Sequence, residues 1–164
     1  MICLYNRFLI FNFFIIMNFA NTNWLAVAAA TIGGMVTGFL WYGVLFVDTW
    51  MAGNSITVTG EGDAIKMFKN GAEQTAGAVN PMIFNFLAMI AYALLMNWLL
   101  KRANATTLQD GATIGAVIGT ISVIGIFINN LFAATATSLS MVDASYAFVL
   151  FTFMGAVLGG WQKK

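Results

Sequence analysis

Four long stretches without a charged side chain limit what this chain can fold into more than any other feature. As helices with a rise of 1.5 Å per residue they would be about 27–36 Å long, and the hydrocarbon core of a bilayer is about 30 Å thick. Lipid offers backbone amides no hydrogen-bond partner, so helix is the expected form. The sequence therefore predicts an all-α integral membrane four-helix bundle. Its predicted spans are Trp24–Val47, Pro81–Leu100, Gly111–Phe132 and Ala144–Trp161.

Composition argues against several classes of function. Of the 164 residues, 60% are hydrophobic and 8% are charged, whereas a soluble domain has about 25% charged residues. The chain has no histidine and one cysteine, Cys3, so a metal site, a haem site or an internal disulfide is not expected. A formal net charge of +1 gives no reason to expect a nucleic-acid partner. We expect no cofactor and no enzymatic activity, because no nucleophile, base or metal-ligand motif stands out.

Residues 1–16 are predicted to be an N-terminal extension, and residues 17–164 a single four-span membrane domain. Three interpretations of the extension stay open. In the first, the translation start is placed too early and the native protein begins at Met17. In the second, the extension is an interfacial or additional membrane segment. In the third, it is a signal peptide in which Arg7 precedes the apolar run Phe8–Met17.

The distribution of lysine and arginine predicts the orientation. Four spans place both termini and the loop of residues 101–110 on one side of the membrane, together with five of the seven basic residues. The other two, Lys66 and Lys69, lie in the loop on the opposite side. Basic residues near helix ends stay in the cytoplasm, so both termini are predicted to be cytoplasmic. The predicted cytoplasmic charge anchors are Lys101, Arg102, Lys163 and Lys164.

A longer outer loop, residues 48–80, joins the first and second spans. Its Ser55–Thr59 segment alternates in the manner of a short strand. Asp63–Asn70 is predicted to form one or two helical turns that end at Gly71. The loop is interpreted either as a connector that rests at the membrane interface or as a lid or partner epitope.

Polar residues mark the expected helix starts. Asn23 precedes the first span, and Asn80 is expected to cap a helix that has Pro81 at its first position. Gln109–Asp110 is predicted to cap the third span and Asp143 the fourth, where a carboxylate meets the positive end of the helix dipole. Pro81 is the one proline of the chain, so the helices are expected to have almost no kink points.

Small residues recur every four positions on three of the spans, which is typical of close helix–helix contact in membranes. On the third span they form a smooth groove. Contact within one chain is the first interpretation, and a homo-oligomer or a membrane-protein partner is the alternative; the lipid bilayer is the other expected partner. The predicted helix-packing residues are Gly34, Gly38, Gly111, Gly115, Gly119, Gly155 and Gly159.

Polar and aromatic residues from all four spans fall at a similar depth in the outer half of the membrane. One interpretation makes the asparagines an interhelical polar cluster, in which each contributes about 1 kcal/mol. The other is an outer-leaflet ligand site for a small molecule or a lipid headgroup. The predicted spans contain no ionisable residue, so proton-coupled transport is not expected. The candidate site residues are Trp41, Tyr42, Asn85, Asn129, Asn130 and Tyr146.

Several short motifs in a fixed order resemble one family over residues 17–161. The motifs are Asn23–Val27, Trp41-Tyr42-Gly43 with Leu45-Phe46 and Trp50, Ala105–Leu108 with Gly111, Asn129–Phe132, and Met154–Trp161. Together they resemble the domain of unknown function 1761 family of small bacterial membrane proteins. The resemblance implies a four-helix bundle in a bacterial inner (plasma) membrane and a start near Met17. It implies no activity, because the family has no established one.

The sequence leaves two functions open. The first is a structural or accessory subunit that docks through the small-residue faces of its helices. The alternative is a channel- or transporter-like binder of a small neutral solute or lipid, with the candidate site residues as its pocket. Cross-linking in native membranes would capture one reproducible partner in the first case, whereas a bound ligand beside the asparagines would indicate the second.

Overall fold

The computed structural model describes residues 22–60, 65–74 and 80–162. Before the loop, these residues form α1 (Trp24–Leu40), the π-helical segment Trp41–Leu45 and α2 (Val47–Gly53). The loop contains the strands β1 (Ile56–Thr59), β2 (Lys66–Lys69) and β3 (Ala72–Gln74). The remaining helices are α3 (Pro81–Arg102), α4 (Leu108–Phe132) and α5 (Thr137–Gly160). The predicted extension of residues 1–16 and the anchors Lys163 and Lys164 lie outside the described residues.

Four helical segments are long and apolar enough to cross a bilayer. α1 and the π-helical segment together give a span of 22 residues, and α3, α4 and α5 have 22, 25 and 24 residues. A helix of about 20 residues covers the hydrocarbon core. The predicted all-α four-helix membrane bundle is therefore confirmed. The architecture is that of a multi-pass membrane protein, to which the loop adds a small sheet.

Helix α5 lies at the centre of the bundle, where it packs against α1, α3 and, most closely, α4. α3 and α4 barely touch each other, and a cleft opens between them. We call the end of the bundle that carries β1–β3 and the turn of residues 133–136 the sheet end. The opposite end, with residues 22–23 and 161–162, is the terminal end. The buried core includes Ala26, Ala30, Met89, Ala93, Met96, Leu100, Leu150, Met154 and Leu158.

Glycines let α4 and α5 approach until their backbones touch. A Cβ atom on Gly111 would overlap the carbonyl oxygen of Gly155, and one on Gly115 would overlap the carbonyl oxygen of Phe151. A Cβ atom on Gly119 would lie 2.9 Å from the α5 backbone. Side chains cannot approach a backbone that closely, so only glycine permits this contact, as in other close helix pairs of membranes.

The other predicted packing glycines also face neighbours within the chain. Gly155 and Gly159 of α5 meet the α4 side of the same contact. Gly34 of α1 meets methionines of α3 and α5, and Gly38 meets the hydroxyl of Tyr146. All seven predicted glycines therefore pack inside the bundle. Contact with a second copy stays a prediction and would need other surfaces.

The N-caps of α1 and α3 are the predicted ones. The side chains of Asn23 and Asn80 accept backbone N–H groups of the first turn at 3.3 and 2.9 Å. The predicted Gln109–Asp110 cap of the third span is wrong by two residues. The Thr107 hydroxyl accepts the N–H of Asp110 at 3.1 Å and so caps α4.

Helix α5 begins at Thr137, seven residues before the predicted start at Ala144. The predicted cap Asp143 is therefore wrong, because this residue lies inside the helix, about 9 Å along its axis from Thr137. The prediction treated a charge as the end of a span. Asp143 lies in the bundle instead, where the hydroxyl of Tyr42 contacts it. The expectation that the spans contain no ionisable residue is wrong for the same reason.

The first span contains the π-helical segment Trp41–Leu45, although it has no proline. The N–H of Phe46 donates to the carbonyl of Trp41 at 2.9 Å, five residues back. The low proline count predicted almost no kink points. This segment is an interruption that the proline count does not indicate, because a π-bulge can form in an α-helix without proline. The segment places Trp41 and Tyr42 side by side against α5.

The loop carries a three-stranded antiparallel sheet in the order β1-β2-β3. The strand predicted at Ser55–Thr59 is confirmed. Of the helical turns predicted at Asp63–Asn70, residues 63 and 64 lie outside the described residues, and the rest is wrong because Lys66–Lys69 forms β2. Asn70 and Gly71 have φ angles of 52° and 78°. A two-residue hairpin needs positive φ at both positions, and an Asn-Gly pair supplies it.

Candidate functional site

The cleft between α3 and α4 contains a cavity of about 640 Å³, with α5 as its floor. Cavities that bind small molecules measure about 300–1,000 Å³. The lining combines apolar side chains with amides, phenols, a hydroxyl and a carboxylate. The polar lining residues are Tyr42, Asn85, Tyr92, Ser122, Asn129, Asn130, Asp143 and Tyr146.

A second cavity of about 320 Å³ lies on the terminal side of the first and is almost entirely apolar. Tyr92 and Phe151 line both cavities, and their rings meet edge-on with centroids 5.2 Å apart. The cleft is therefore polar near the sheet end and apolar toward the terminal end. The other residues of the apolar cavity are Leu95, Met96, Trp98, Leu99 and Ile118.

A tyrosine and a carboxylate form the central polar contact of the cleft. The hydroxyl of Tyr42 donates to Oδ1 of Asp143 at 3.0 Å. The Tyr42 ring meets the Tyr146 ring edge-on at 4.9 Å, which supports it from the other side. Asp143 is half-buried and forms no ion pair with the described residues. A carboxylate accepts several hydrogen bonds, so Asp143 keeps acceptor capacity in the wall of the cavity.

The three candidate asparagines differ in their contacts. Asn130 donates to the hydroxyl of Ser140 at 3.1 Å and so joins α4 to α5. Asn85 donates to the sulfur of Met35 at 3.4 Å, a weak acceptor. Asn129 is exposed, lines the cavity and makes no side-chain hydrogen bond with the described residues. Of the three asparagines, Asn129 is therefore the one whose side-chain amide can use all of its hydrogen-bond donors and acceptors to bind a ligand.

Trp41 is the candidate residue that does not line the cavity. Its indole N–H donates to the carbonyl of Val142 at 3.1 Å, and its ring lies 5.1 Å from the ring of Phe46. These contacts fasten the π-helical segment to α5 immediately before Asp143. Trp41 therefore positions Tyr42 and Asp143 and does not itself face the cleft.

A polar hollow of about 680 Å³ adjoins the cleft at the sheet end. Asn130 and Asp143 line both the hollow and the cleft. Lys69 of β2 and Asn70 of the hairpin also line the hollow. The polar lining of the cleft thus continues to the surface at the sheet end.

The structure brings five of the six candidate residues together around one cavity. They are Tyr42, Asn85, Asn129, Asn130 and Tyr146. Sequence reasoning missed Tyr92, Ser122 and Asp143, each of which lies three or seven residues from a candidate residue on the same helix. Such spacing puts residues on one helix face and was the available signal. That these residues bind a ligand stays a prediction.

A second polar cluster joins the chain ends at the terminal end of the bundle. Asn97 of α3 is 1% exposed, donates to the hydroxyl of Thr22 at 3.4 Å and accepts from the side chain of Gln162 at 3.0 Å. Asn23 donates to the carbonyl of Trp161 at 2.9 Å. These bonds fasten the first and last described residues of the bundle to α3 and to each other.

Two of the predicted charge anchors, Lys101 and Arg102, lie in the last turn of α3. Lys101 donates to the hydroxyl of Thr22 at 3.4 Å, and the guanidinium of Arg102 lies 5.7 Å from the centre of the Trp98 ring. Both anchors lie at the terminal end, whereas Lys66 and Lys69 of β2 lie at the sheet end. The side of the membrane that each end faces stays a prediction.

One family covers most of this chain. The family described as Protein of unknown function (DUF1761) matches residues 25–159. The match contains all four membrane-spanning segments except the first residue of α1 and the last of α5, and it contains every residue of the cleft. No curated protein and no solved structure matches the chain. The resemblance of the motifs is confirmed, and the chain belongs to the DUF1761 family of proteins of unknown function.

Proposed function

We propose that this protein binds a small amphipathic molecule in the cleft between α3 and α4. The observation that supports the proposal is the division of one cleft into a polar cavity of about 640 Å³ and an apolar cavity of about 320 Å³. A wholly polar ligand would leave the apolar half without a partner. A wholly apolar ligand would leave the Asn129 amide and the remaining acceptor capacity of Asp143 without a partner in the cleft. An amphipathic ligand matches both halves.

The lining favours a channel- or transporter-like binder over an enzyme. Ser122 is the serine of the cavity lining, and its hydroxyl donates a hydrogen bond to the carbonyl of Ile118 at 3.0 Å. An activated nucleophile needs a base within hydrogen-bond reach, and Ser122 contacts none among the described residues. Asp143 accepts instead from Tyr42. Such groups bind and orient a ligand.

An accessory subunit is the function that the small-residue faces first suggested. The glycines of these faces pack within the chain, so they offer a partner no free docking surface. A partner or a second copy would have to use the exposed apolar faces of the spanning helices, which in a membrane also face lipid. We therefore propose ligand binding as the function.

We also propose that the protein resides in a bacterial inner membrane with both termini in the cytoplasm. The resemblance to small bacterial membrane proteins supports the location. The positions of Lys101 and Arg102 at the terminal end support the orientation, because basic residues flank the cytoplasmic ends of spans. The polar cavity would then lie in the outer half of the membrane.

Two asparagine substitutions separate a ligand site from an interhelical polar cluster. Asn129→Leu removes an amide that has no side-chain hydrogen bond with the described residues, so the free energy of unfolding is expected to change by less than about 0.5 kcal/mol. The affinity for lauroylglycerol, a neutral amphiphile, is expected to fall about fivefold because a hydrogen bond is lost. Asn130→Leu removes the bond to Ser140 and is expected to lower the free energy of unfolding by about 1 kcal/mol. Equilibrium binding of radiolabelled lauroylglycerol and unfolding titrations, both in a neutral detergent, measure the two effects.

Thr113→Leu is the control for these substitutions. Thr113 is exposed on α4 away from the cleft, and its hydroxyl bonds within its own helix. It should change neither binding nor stability beyond about 0.5 kcal/mol. If Asn129→Leu destabilises the protein as much as Asn130→Leu and leaves lauroylglycerol binding unchanged, the asparagines only hold helices together and the proposed function is wrong.

A further inference from the structure

We propose that the ligand of the cleft carries an ammonium group and that Asp143 binds it. The inference rests on the proposed function and names the chemical class of the ligand, an amine with an apolar tail. Three observations carry the inference. A carboxylate with no ion-pair partner among the described residues lies inside a span, tyrosines line the same cavity, and the apolar half of the cleft continues beyond them.

Asp143 is the first of these observations. It is half-buried about 9 Å along α5 from the helix start. Lys69 lines the adjoining hollow but does not come within the 4.0 Å of an ion pair, and Lys66 pairs with Glu73 at 3.0 Å. Charged side chains inside a membrane normally pair with an opposite charge. A cationic ligand would complete that pairing.

The tyrosines are the second observation. Tyr42, Tyr92 and Tyr146 line the same cavity as Asp143. The π-systems of aromatic rings attract ammonium groups by about 0.5–2 kcal/mol each. Carbon substituents on the nitrogen can also pack against the rings, which a hydrated metal ion cannot do. A carboxylate among tyrosines therefore favours an organic ammonium group over an inorganic cation.

The course of the cleft is the third observation. Asn85 and Asn129 line the polar cavity, and the partial negative charge of an amide oxygen attracts an ammonium group. Beyond Tyr92 and Phe151 the cleft becomes apolar. An ammonium group at Asp143 would thus place an attached alkyl chain in an apolar cavity, between helices that barely touch.

Two amphiphiles with alkyl chains of equal length test the inference. Dodecyltrimethylammonium carries the cation and lauroylglycerol does not. Their equilibrium binding is measured on the purified full-length protein in a neutral detergent. The unaltered protein is expected to bind the ammonium probe at least about tenfold more tightly, because that probe alone can pair with Asp143. Asp143→Asn is expected to abolish this preference, because it removes the negative charge and keeps a hydrogen-bonding side chain of similar size in the cleft.

Two further variants separate the charge of Asp143 from its structural contact. Asp48→Asn is the matched control, because Asp48 is exposed at the start of α2 and does not line the cleft; it should keep the preference. Tyr42→Phe removes the hydrogen bond to Asp143 but keeps the aromatic ring and the carboxylate, so it should reduce the preference less than Asp143→Asn does. Loss of the preference in Tyr42→Phe as complete as in Asp143→Asn would assign Asp143 a structural role and overturn the inference.

Different experimental outcomes would overturn the inference alone and the proposed function together with it. Binding of lauroylglycerol that depends on Asn129, with no preference for the ammonium probe, overturns the inference and leaves the proposed function standing. Absence of Asn129-dependent binding for both probes overturns both. If Asp143→Asn does not fold, the inference is still tested by whether the unaltered protein prefers the ammonium probe and whether part of that preference remains in Tyr42→Phe.

Competition identifies the source of the ammonium group. Dihexanoyl phosphatidylethanolamine and free ethanolamine are each added against bound dodecyltrimethylammonium. Displacement by the phospholipid alone supports the inference with a lipid headgroup as the ligand. Displacement by ethanolamine as well would overturn the part of the inference that assigns the ligand an apolar tail, because ethanolamine has none. Displacement by neither, at concentrations that saturate the detergent micelles with phospholipid, restricts the site to other amines with a single alkyl chain.

Discussion

Replacing Gly115 with alanine is expected to lower the free energy of unfolding by about 3 kcal/mol or more. The new methyl group would overlap the carbonyl oxygen of Phe151 and lie 3.0 Å from the Cα atom of Thr152. Both atoms belong to the α5 backbone, so no rotation of a side chain can relieve the overlap and the helices must move apart. Unfolding in mixed detergent micelles, followed by circular dichroism, measures the change.

Gly125→Ala is the matched control on the same helix. A Cβ atom at Gly125 meets nothing within 4 Å, and alanine favours a helix over glycine by up to about 1 kcal/mol. The control is expected to be neutral or stabilising. An equal loss of stability in Gly115→Ala and Gly125→Ala would contradict the close packing of α4 against α5.

Asn97→Leu is expected to have the second largest effect on stability, a loss of about 1–2 kcal/mol. Leucine is close to asparagine in size, but it would remove the hydrogen bonds to Thr22 and Gln162 at a site that is 1% exposed. The chain ends should then loosen before the rest of the bundle unfolds. Hydrogen exchange in the first turn of α1 is expected to accelerate, and the unfolding titration gives the total loss.

Asn129→Leu is the control for this substitution as well. It makes the same chemical change at an exposed amide that has no hydrogen bond with the described residues. Neither hydrogen exchange at α1 nor the free energy of unfolding should change. If Asn129→Leu and Asn97→Leu lower the stability equally, the loss would come from the exchange of amide for leucine itself and not from the cluster at the terminal end.

The spans were predictable because hydrophobicity and length are local properties of the sequence. The start of α5 was not, since the decisive contact is with a residue far away in the chain. Asp143 reads as a boundary when only its charge is considered, but Tyr42 donates to it inside the bundle. A polar side chain can continue a span wherever another helix offers it a hydrogen bond.

Local signals also differ in strength within the loop and the first span. The Asn70-Gly71 pair indicates a hairpin, because it supplies the two positive φ angles of a tight turn, but the segment before it was interpreted as helical turns. The π-helical segment Trp41–Leu45 has no comparable signal in the local sequence, because no residue type is specific for a π-helix. It depends on the hydrogen bond from Trp41 to α5 and on the neighbouring contact of Tyr42.

The depth of the candidate residues in the membrane was predictable from the sequence. Which of them face the cleft was not, because that depends on the rotation of each helix about its own axis. Helix rise and the order of the spans place Asn85 and Asn129 at one level, and both line the cavity. The neighbours Trp41 and Tyr42 lie at that level too, yet only Tyr42 faces the cleft. The sequence offered no measure of the gap between α3 and α4 either, because that gap depends on how closely α4 packs against α5.

The most direct test of the ligand site is a crystal structure of the protein grown from a lipidic mesophase that contains dodecyltrimethylammonium. The proposed site predicts elongated electron density in the cleft, with the ammonium group beside Asp143 and the alkyl chain beyond Tyr92 and Phe151. A structure in which α3 and α4 close against each other, with the amphiphile bound elsewhere, would contradict it.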